Sequence, residues 1–402
     1  MKVLLYVILF IGSLYATRVD AQLDTSDNCK GCHLNITSKW ETSRHANSHY
    51  SKNDLFKKSL EYIVKKNPTK ILDEVKLECA KCHNPRVVYT KIDEDDKISI
   101  LFDDKNLTQQ YDKAFNSAYV KDGINCIVCH NIDKIHLHKA KGSMGMKNIY
   151  FGKKGVMFGP FKNAHSPYHK TEQREHFQGD NPKLCFVCHY SAKNEHNLMV
   201  YATGLEYDDI KRRAKDNIPG CKSCHMSQKQ KGYASNYAPE GKKPKSRMVR
   251  VHRFASVDNS NIIKEHISVV DSIKDDKFII KIQNKTPHKL PTGYGLREVV
   301  LSVEFLNVSN KKLDDIRYVF GVNYVDKNGD MTIPHLAFKM VSDTRLGAYN
   351  QRKLKFDIPR RTRYIKYSVT YKLIDDKVAH EIGISDKFFL KDYVIVKKKI
   401  KI

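Results

Sequence analysis

Ten cysteines occur in this 402-residue chain, and none of them stands alone. They form five pairs, Cys29/Cys32, Cys79/Cys82, Cys126/Cys129, Cys185/Cys188 and Cys221/Cys224, each separated by two residues. A histidine follows every pair: His33, His83, His130, His189 and His225. With only 18 histidines in the chain, five such placements by chance have odds of roughly 2 in ten million before the cysteine spacing is counted. A zinc ribbon would join two pairs into one tetrahedral site, would leave one pair over, and gives no reason for the histidines. Thioredoxin-like redox pairs occur once per βαβ unit. Covalent haem attachment accounts for every element: two thiols bond the porphyrin vinyl groups and the adjacent imidazole takes one face of the iron. The pattern therefore predicts five covalently bound haem c groups, with the ten cysteines as attachment points and the five motif histidines as proximal iron ligands.

An oxidising compartment would normally turn ten cysteines into disulfides, so the question of export bears on the reading. Met1 and Lys2 supply a positive start, residues 3–15 an apolar stretch, and Val19, Asp20 and Ala21 a small-residue exit. This is the layout of a secretory signal peptide, expected to span 1–21 and to place the mature chain in the periplasm. The apolar run, residues 3–16, is short of the roughly 20 residues that a membrane-spanning helix needs. No transmembrane span is expected in the mature chain.

Thirteen histidines remain for the opposite faces of the irons. Methionine is the competing ligand, but Met226 adjoins His225 and cannot reach the far face of the same haem, and Met144, Met146 and Met199 follow no pattern. Several segments match a known pattern. Trp40, Ser43, His45 and Ala46 form a W-x-x-S-x-H-A element, Gly159 and Pro160 precede Ser166-Pro167-Tyr168-His169, and Cys224-His225-Met226 is followed by His252, Arg253 and Phe254. His288 lies in an H-K-L-P-T-G element ending at Gly293. Together these resemble multihaem cytochromes related to the tetrahaem acceptor of hydroxylamine oxidoreductase, the last element opening a C-terminal β-domain in longer members. The resemblance implies that His45, His169, His252 and His288 are distal ligands. The fifth distal position stays open between His136 and His138, with His138 preferred and His49, His165 and His196 in reserve; one iron left five-coordinate is the alternative. His266, His335 and His380 are expected to be ordinary surface or core residues.

The predicted fold class is α+β. A haem-bearing unit of helices and coil should run over 22–255, and an all-β, sandwich-like unit over 256–402. In the first, apolar residues at helical spacing predict a helix over 51–66, started by a capping box at Ser51 and Asp54, and a second over 107–120. Residues 142–160, rich in Gly and Lys, read as a loop. In the second, β-type runs fall at 278–282, 299–308, 318–325, 331–340, 353–358 and 364–373, with Asn328-Gly329 as a hairpin signal. The basic run from Lys397 to the end reads as a frayed tail or a contact with an anionic membrane.

The formal net charge of +26 exceeds what the propionates of five haems, about −5 to −10 in total, would offset. Steering toward acidic docking surfaces explains this better than nucleic acid, which an exported haem protein does not meet. The expected role is electron transport between respiratory partners, a quinol-linked membrane donor or periplasmic dehydrogenase on one side and a terminal reductase on the other, through bis-histidine haems of low potential. The alternative is an oxidoreductase acting on a small nitrogen or sulfur oxyanion or on hydroxylamine at one open haem. No catalytic residue is assigned, and the absence of a CxxCK motif favours the carrier over the enzyme. A third reading makes the β-unit a docking module for a larger assembly.

Overall fold

Each of the five CxxCH motifs closes a helix or marks a kink in one. The helices of the first part of the chain are α1 (Ser26–Trp40), α2 (Asp54–Lys66), α3 (Leu72–His83), α4 (Glu94–Leu101), α5 (Lys105–Phe115), α6 (Ala118–Lys121), α7 (Cys126–His130), α8 (Lys183–His189), α9 (Thr203–Arg213) and α10 (Cys221–His225). α3, α7, α8 and α10 end on the motif histidine, and α1 bends at His33, where φ −114° and ψ 33° leave the helical region. The computed structural model describes residues 25–89, 91–137, 144–214, 217–238 and 241–402. The expected signal peptide and His138 lie outside these residues.

Short two-stranded pieces join the helices: β1 (Ile132–Ile135) with β2 (Ile149–Phe151), β3 (Val156–Gly159) with β4 (Lys170–Gln173), β5 (Ala192–Lys193) with β6 (Met199–Tyr201), and β7 (Gln230–Tyr233) with β8 (Ser246–Val249). The stretch expected as a loop over 142–160 thus contains two strands. Glycine and lysine lowered its apparent strand character, but Ile149, Val156 and Phe158 are buried. The expected helix over 51–66 begins later, at Asp54, because the Asn53 side chain accepts from the Phe56 amide while Ser51 belongs to a preceding turn. The one expected over 107–120 is two helices, the first capped by Asp104 and broken after Phe115.

From Ile267 onward the chain is largely antiparallel sheet. β9 (Ile267–Lys274), β10 (Lys277–Asn284) and β15 (Gln351–Asp357) form one sheet in the order β15-β10-β9. β11 (Glu298–Leu306), β12 (Lys312–Phe320), β16 (Tyr364–Lys372) and β17 (Tyr393–Lys401) form a second in the order β12-β11-β16-β17, and β13 (Val322–Val325) pairs with β14 (Lys339–Asp343). Alternation on β10 buries Phe278, Ile280 and Ile282, which pack with Leu301, Val303 and Phe305 of β11 and Ile365, Tyr367 and Val369 of β16. Two sheets sharing one apolar filling make a sandwich. The fold class is therefore α+β, as expected.

Three departures have physical causes. Residues 331–338 form a loop rather than a strand, with Asn328-Gly329 in a turn whose amides bond the Asp326 carboxylate. β9 went unrecognised because its second half is polar and exposed. The supposed basic tail is β17, an edge strand along β16; lysines on an exposed edge discourage pairing with another chain, and here Lys398 also bonds Asp271 at 2.7 Å.

The sandwich core does not close on itself. Phe56, Leu60 and Ile63 of α2 and Val75 of α3 belong to the same apolar cluster. Polar contacts reinforce the seam: the Asp54 carboxylate accepts from the Ser385 and Asp386 amides at 2.9 and 3.0 Å, and the Tyr62 hydroxyl donates to Glu381 at 3.2 Å. The helix pair that carries the second motif is thus built onto the sheet.

Candidate haem-binding site

One cavity of about 1870 Å³ contains all ten cysteines and all five motif histidines in its wall. The motifs, spread over nearly 200 residues of sequence, are drawn together by specific tethers. Asp122 accepts from the Ser26 amide and hydroxyl, both at 2.7 Å, and from the Asn125 amide group at 2.8 Å, binding the start of α1 to the start of α7. Trp40 donates its indole N–H to the Ile124 carbonyl at 2.9 Å. Gly123, at φ +71°, lies where a Cβ would stand 2.5 Å from the His45 carbonyl oxygen, so only glycine permits that approach. Asp180 accepts from the Gly220 and Ser223 amides at the start of α10.

The motifs also touch each other. The thiol of Cys29 adjoins that of Cys126, Cys82 adjoins Cys188, Cys185 adjoins Cys221, and Cys129 lies close to Cys185. All ten cysteines are free. Burial pushes the Cys79 and Cys129 thiols up to about 12. Among the described residues no three His, Cys, Asp or Glu side chains converge as a bound metal ion requires. The zinc alternative loses its geometry.

The histidines carry the clearest signal. His33 faces His169 with ring centroids 6.3 Å apart, His130 faces His252 at 6.3 Å, and His45 faces His189 at 6.1 Å, at interplanar angles of 32°, 26° and 41°. Metal–imidazole bonds of about 2 Å, plus about 1.1 Å from nitrogen to ring centre on each side, place two axial imidazoles about 6.2 Å apart. That spacing is too long for stacking and fits one iron between each pair.

The remaining ring nitrogens support the same geometry. Nδ1–H of His33 donates to Ala234 O and that of His130 to Phe158 O, both at 2.6 Å, and that of His225 to Ala255 O at 2.9 Å. On the opposite side, His252 donates to Arg250 O at 3.1 Å, His288 to Lys289 O at 2.9 Å, and His169 more loosely to Lys170 O at 3.4 Å. A carbonyl only accepts, so the proton sits on Nδ1 and Nε2 keeps its lone pair, the usual outer partner of a metal-bound histidine. Burial holds His45 at about 3 and His189, His252 and His288 at about 4. They are neutral, as a ligating imidazole must be.

His288 lines the same cavity, with His225 among the charges that reach it. His49 is different: its Nε2 bonds the Phe115 carbonyl and its Nδ1 meets Ser51, leaving no free nitrogen. His136 packs edge-on against Tyr150, and His196 pairs with Glu195; neither is part of the cavity wall. His165 does line it. The sequence reading set aside His266 and His335, yet both border the cavity. His266 Nε2 lies 3.8 Å from the Cys224 sulfur, which would carry a haem thioether. No local motif marks His335, which is why its position was not legible.

Residues 28–131, which contain the first three motifs, match the family model described as cytochrome c554 and c-prime. Among solved structures, the chain is similar to a penta-heme cytochrome c552 from Thermochromatium tepidum, with a TM-score of 0.69 and 18% identity over 94% of this chain and 98% of that one. The first quarter of the chain thus matches a cytochrome domain, and the whole chain shares the fold of a penta-heme cytochrome. A glycosyl hydrolase family 2 member from Bacteroides cellulosilyticus also matches, at 14% identity over 34% of this chain and 13% of that one, but its TM-score of 0.14 carries no argument. No curated protein matches the chain. These findings bear on the cytochrome character and not on a partnership with hydroxylamine oxidoreductase.

The residues of this chain fit covalent haem c. Thiols line the cavity for attachment, lone-pair nitrogens face one another across it, and cationic side chains, among them Arg44, Lys222, Arg250 and Arg297, stand in its wall where propionates need partners. Among the described residues no helix is long and apolar enough to cross a membrane.

Proposed function

We propose that the chain is a periplasmic five-haem electron carrier, with a haem-bearing unit over 22–255 and a β-unit over 256–402. The observation that carries this reading is the set of three imidazole pairs at 6.1–6.3 Å. Two imidazoles fill both axial positions and leave no place for a substrate, which suits transfer of electrons rather than bond chemistry. Bound haem would supply the one-electron chemistry. The chain's own residues fix where that chemistry happens: cysteines tether, histidines ligate, backbone carbonyls orient the rings, and buried walls keep water away. In this reading the distal ligands are His169 opposite His33, His252 opposite His130, His45 opposite His189 and His288 opposite His225.

The touching thiols suggest the order of the relay. The first site adjoins the third, the third adjoins the fourth, and the fourth also meets the second and the fifth. The fourth is therefore a junction with three neighbours. Ligation without methionine favours low potentials, suited to a quinol-linked donor and a terminal reductase as partners. The net charge of +26 would steer docking to acidic surfaces. The test is mass and spectrum together: the mature protein should be heavier than its amino acids by five haems, wholly low-spin when ferric and inert to carbon monoxide when ferrous. A mature chain without the added mass would overturn the reading.

A further inference from the structure

We propose that His335, on the loop between β13 and β14, is the sixth ligand of the iron held by His83. The inference deepens the carrier reading and rests on it. Four motif histidines have a facing imidazole in that reading, and His83 is the one left over. The histidines near enough to act on His83 are His335 and His189, and His189 already faces His45. Both His83 and His335 border the cavity. Phe56 stacks on the face of the His83 ring at 4.0 Å and 13°, which holds the orientation of the imidazole.

The loop that presents His335 is built to hold it. The Asn194 side-chain amide, from just beyond the fourth motif, donates to the carbonyls of Pro334 at 2.9 Å and Ala337 at 2.7 Å. Ile333 and Ala337 are wholly buried, and the Leu336 amide closes a turn on Ile333 O at 3.0 Å. The Tyr294 hydroxyl lies 3.5 Å from His335 Nδ1, and the same tyrosine adjoins the thiol of Cys79, which belongs to the second motif. Tyr294 thus occupies the Nδ1 side of the ring and leaves Nε2 for the iron, the arrangement that metal-binding histidines adopt. The β-unit would then complete the second haem site with a side chain of its own, as it does with His288 at the fifth.

The experiment compares wild-type holoprotein with His335→Ala by ferric paramagnetic resonance, carbon monoxide titration of the reduced form, and mass. Wild type should show no high-spin iron. The variant should keep five covalent haems, turn one of them high-spin, bind one carbon monoxide per chain, and return to low spin when imidazole is added. A variant that stays low-spin and inert to carbon monoxide overturns the assignment, as does a wild type with one haem in five already high-spin. Missing haem mass in wild type overturns the carrier reading, and the assignment with it. Should His335→Ala fail to fold, His335→Met keeps a ligand in place and should raise the potential of one haem; an unchanged set of potentials counts against the proposal.

Discussion

Glu206, on α9, offers a direct test of how the β-unit is locked to the haem cage. Its side chain is 8% exposed and holds three partners: Arg345 at 2.9 Å, the Thr292 hydroxyl at 2.7 Å and the Lys289 amide at 3.1 Å. Hydrogen bonds to a charged group contribute about 1.5–3 kcal/mol each, and breaking a buried ion pair costs about 3–5 kcal/mol. In Glu206→Ala the full penalty is not reached, because Arg345 keeps Asp343 through bonds at 2.9 and 2.8 Å. A loss of about 3 kcal/mol is therefore expected, from two stranded donors and one weakened pair. Glu206→Gln, which retains an acceptor but loses the charge, should lose about half as much. The change should also be visible at the haem. Lys289, the residue after His288, carries both the amide held by Glu206 and the carbonyl that orients the imidazole. Denaturant unfolding of the holoprotein gives the stability, and ferric spectra report whether a high-spin fraction appears. An alanine variant within about 0.5 kcal/mol of wild type, with an unaltered spectrum, would refute this account.

Other outcomes can be stated more briefly. Burial raises the Glu298 carboxyl from 4.5 to about 7, with nearby Asp375 adding to the shift and Arg317 opposing it. The folded state thus holds this proton more tightly than the unfolded one, so stability should fall as pH rises from about 4.5 to about 7, by about 3 kcal/mol in all; Glu298→Gln should flatten that part of a denaturation-versus-pH curve. His169→Ala should convert one haem to high spin in the ferric spectrum, whereas His49→Gln should leave the spectrum alone while lowering the unfolding midpoint, since His49 bonds only protein groups. Gly123→Ala should destabilise by about 1–3 kcal/mol from backbone strain alone and displace His45, read as a lower melting temperature together with a disturbed low-spin signal.

The CxxCH motifs could be read at once because they are written locally: a thiol pair and its histidine lie within five residues. The imidazole pairs were half legible. His45, His169 and His252 stood out through short surrounding motifs, but their partners did not, since pairing is set by tertiary folding. His335 carried no local signal, because its loop is shaped by Asn194 from far away in sequence. Strands with a two-residue alternation, such as β10 and β16, could be read directly. β17 could not, because edge strands replace apolar residues with lysines and then look like a solvated tail. Helix starts were misjudged where two cap residues competed, as Ser51 and Asn53 did, and hydrogen bonding rather than composition decided between them.

The imidazole pairs also bear on how such a chain is assembled. His33 meets His169, His45 meets His189 and His130 meets His252, so each partnership bridges more than about a hundred residues of polypeptide and contact order is high. The first of these pairs is not complete until residue 169 of 402 has been made. In the carrier reading, the site of His33 would stay half-ligated until His169 is in place. In that reading, a chain cut before His252 leaves His130 without its facing imidazole rather than merely shortening the protein.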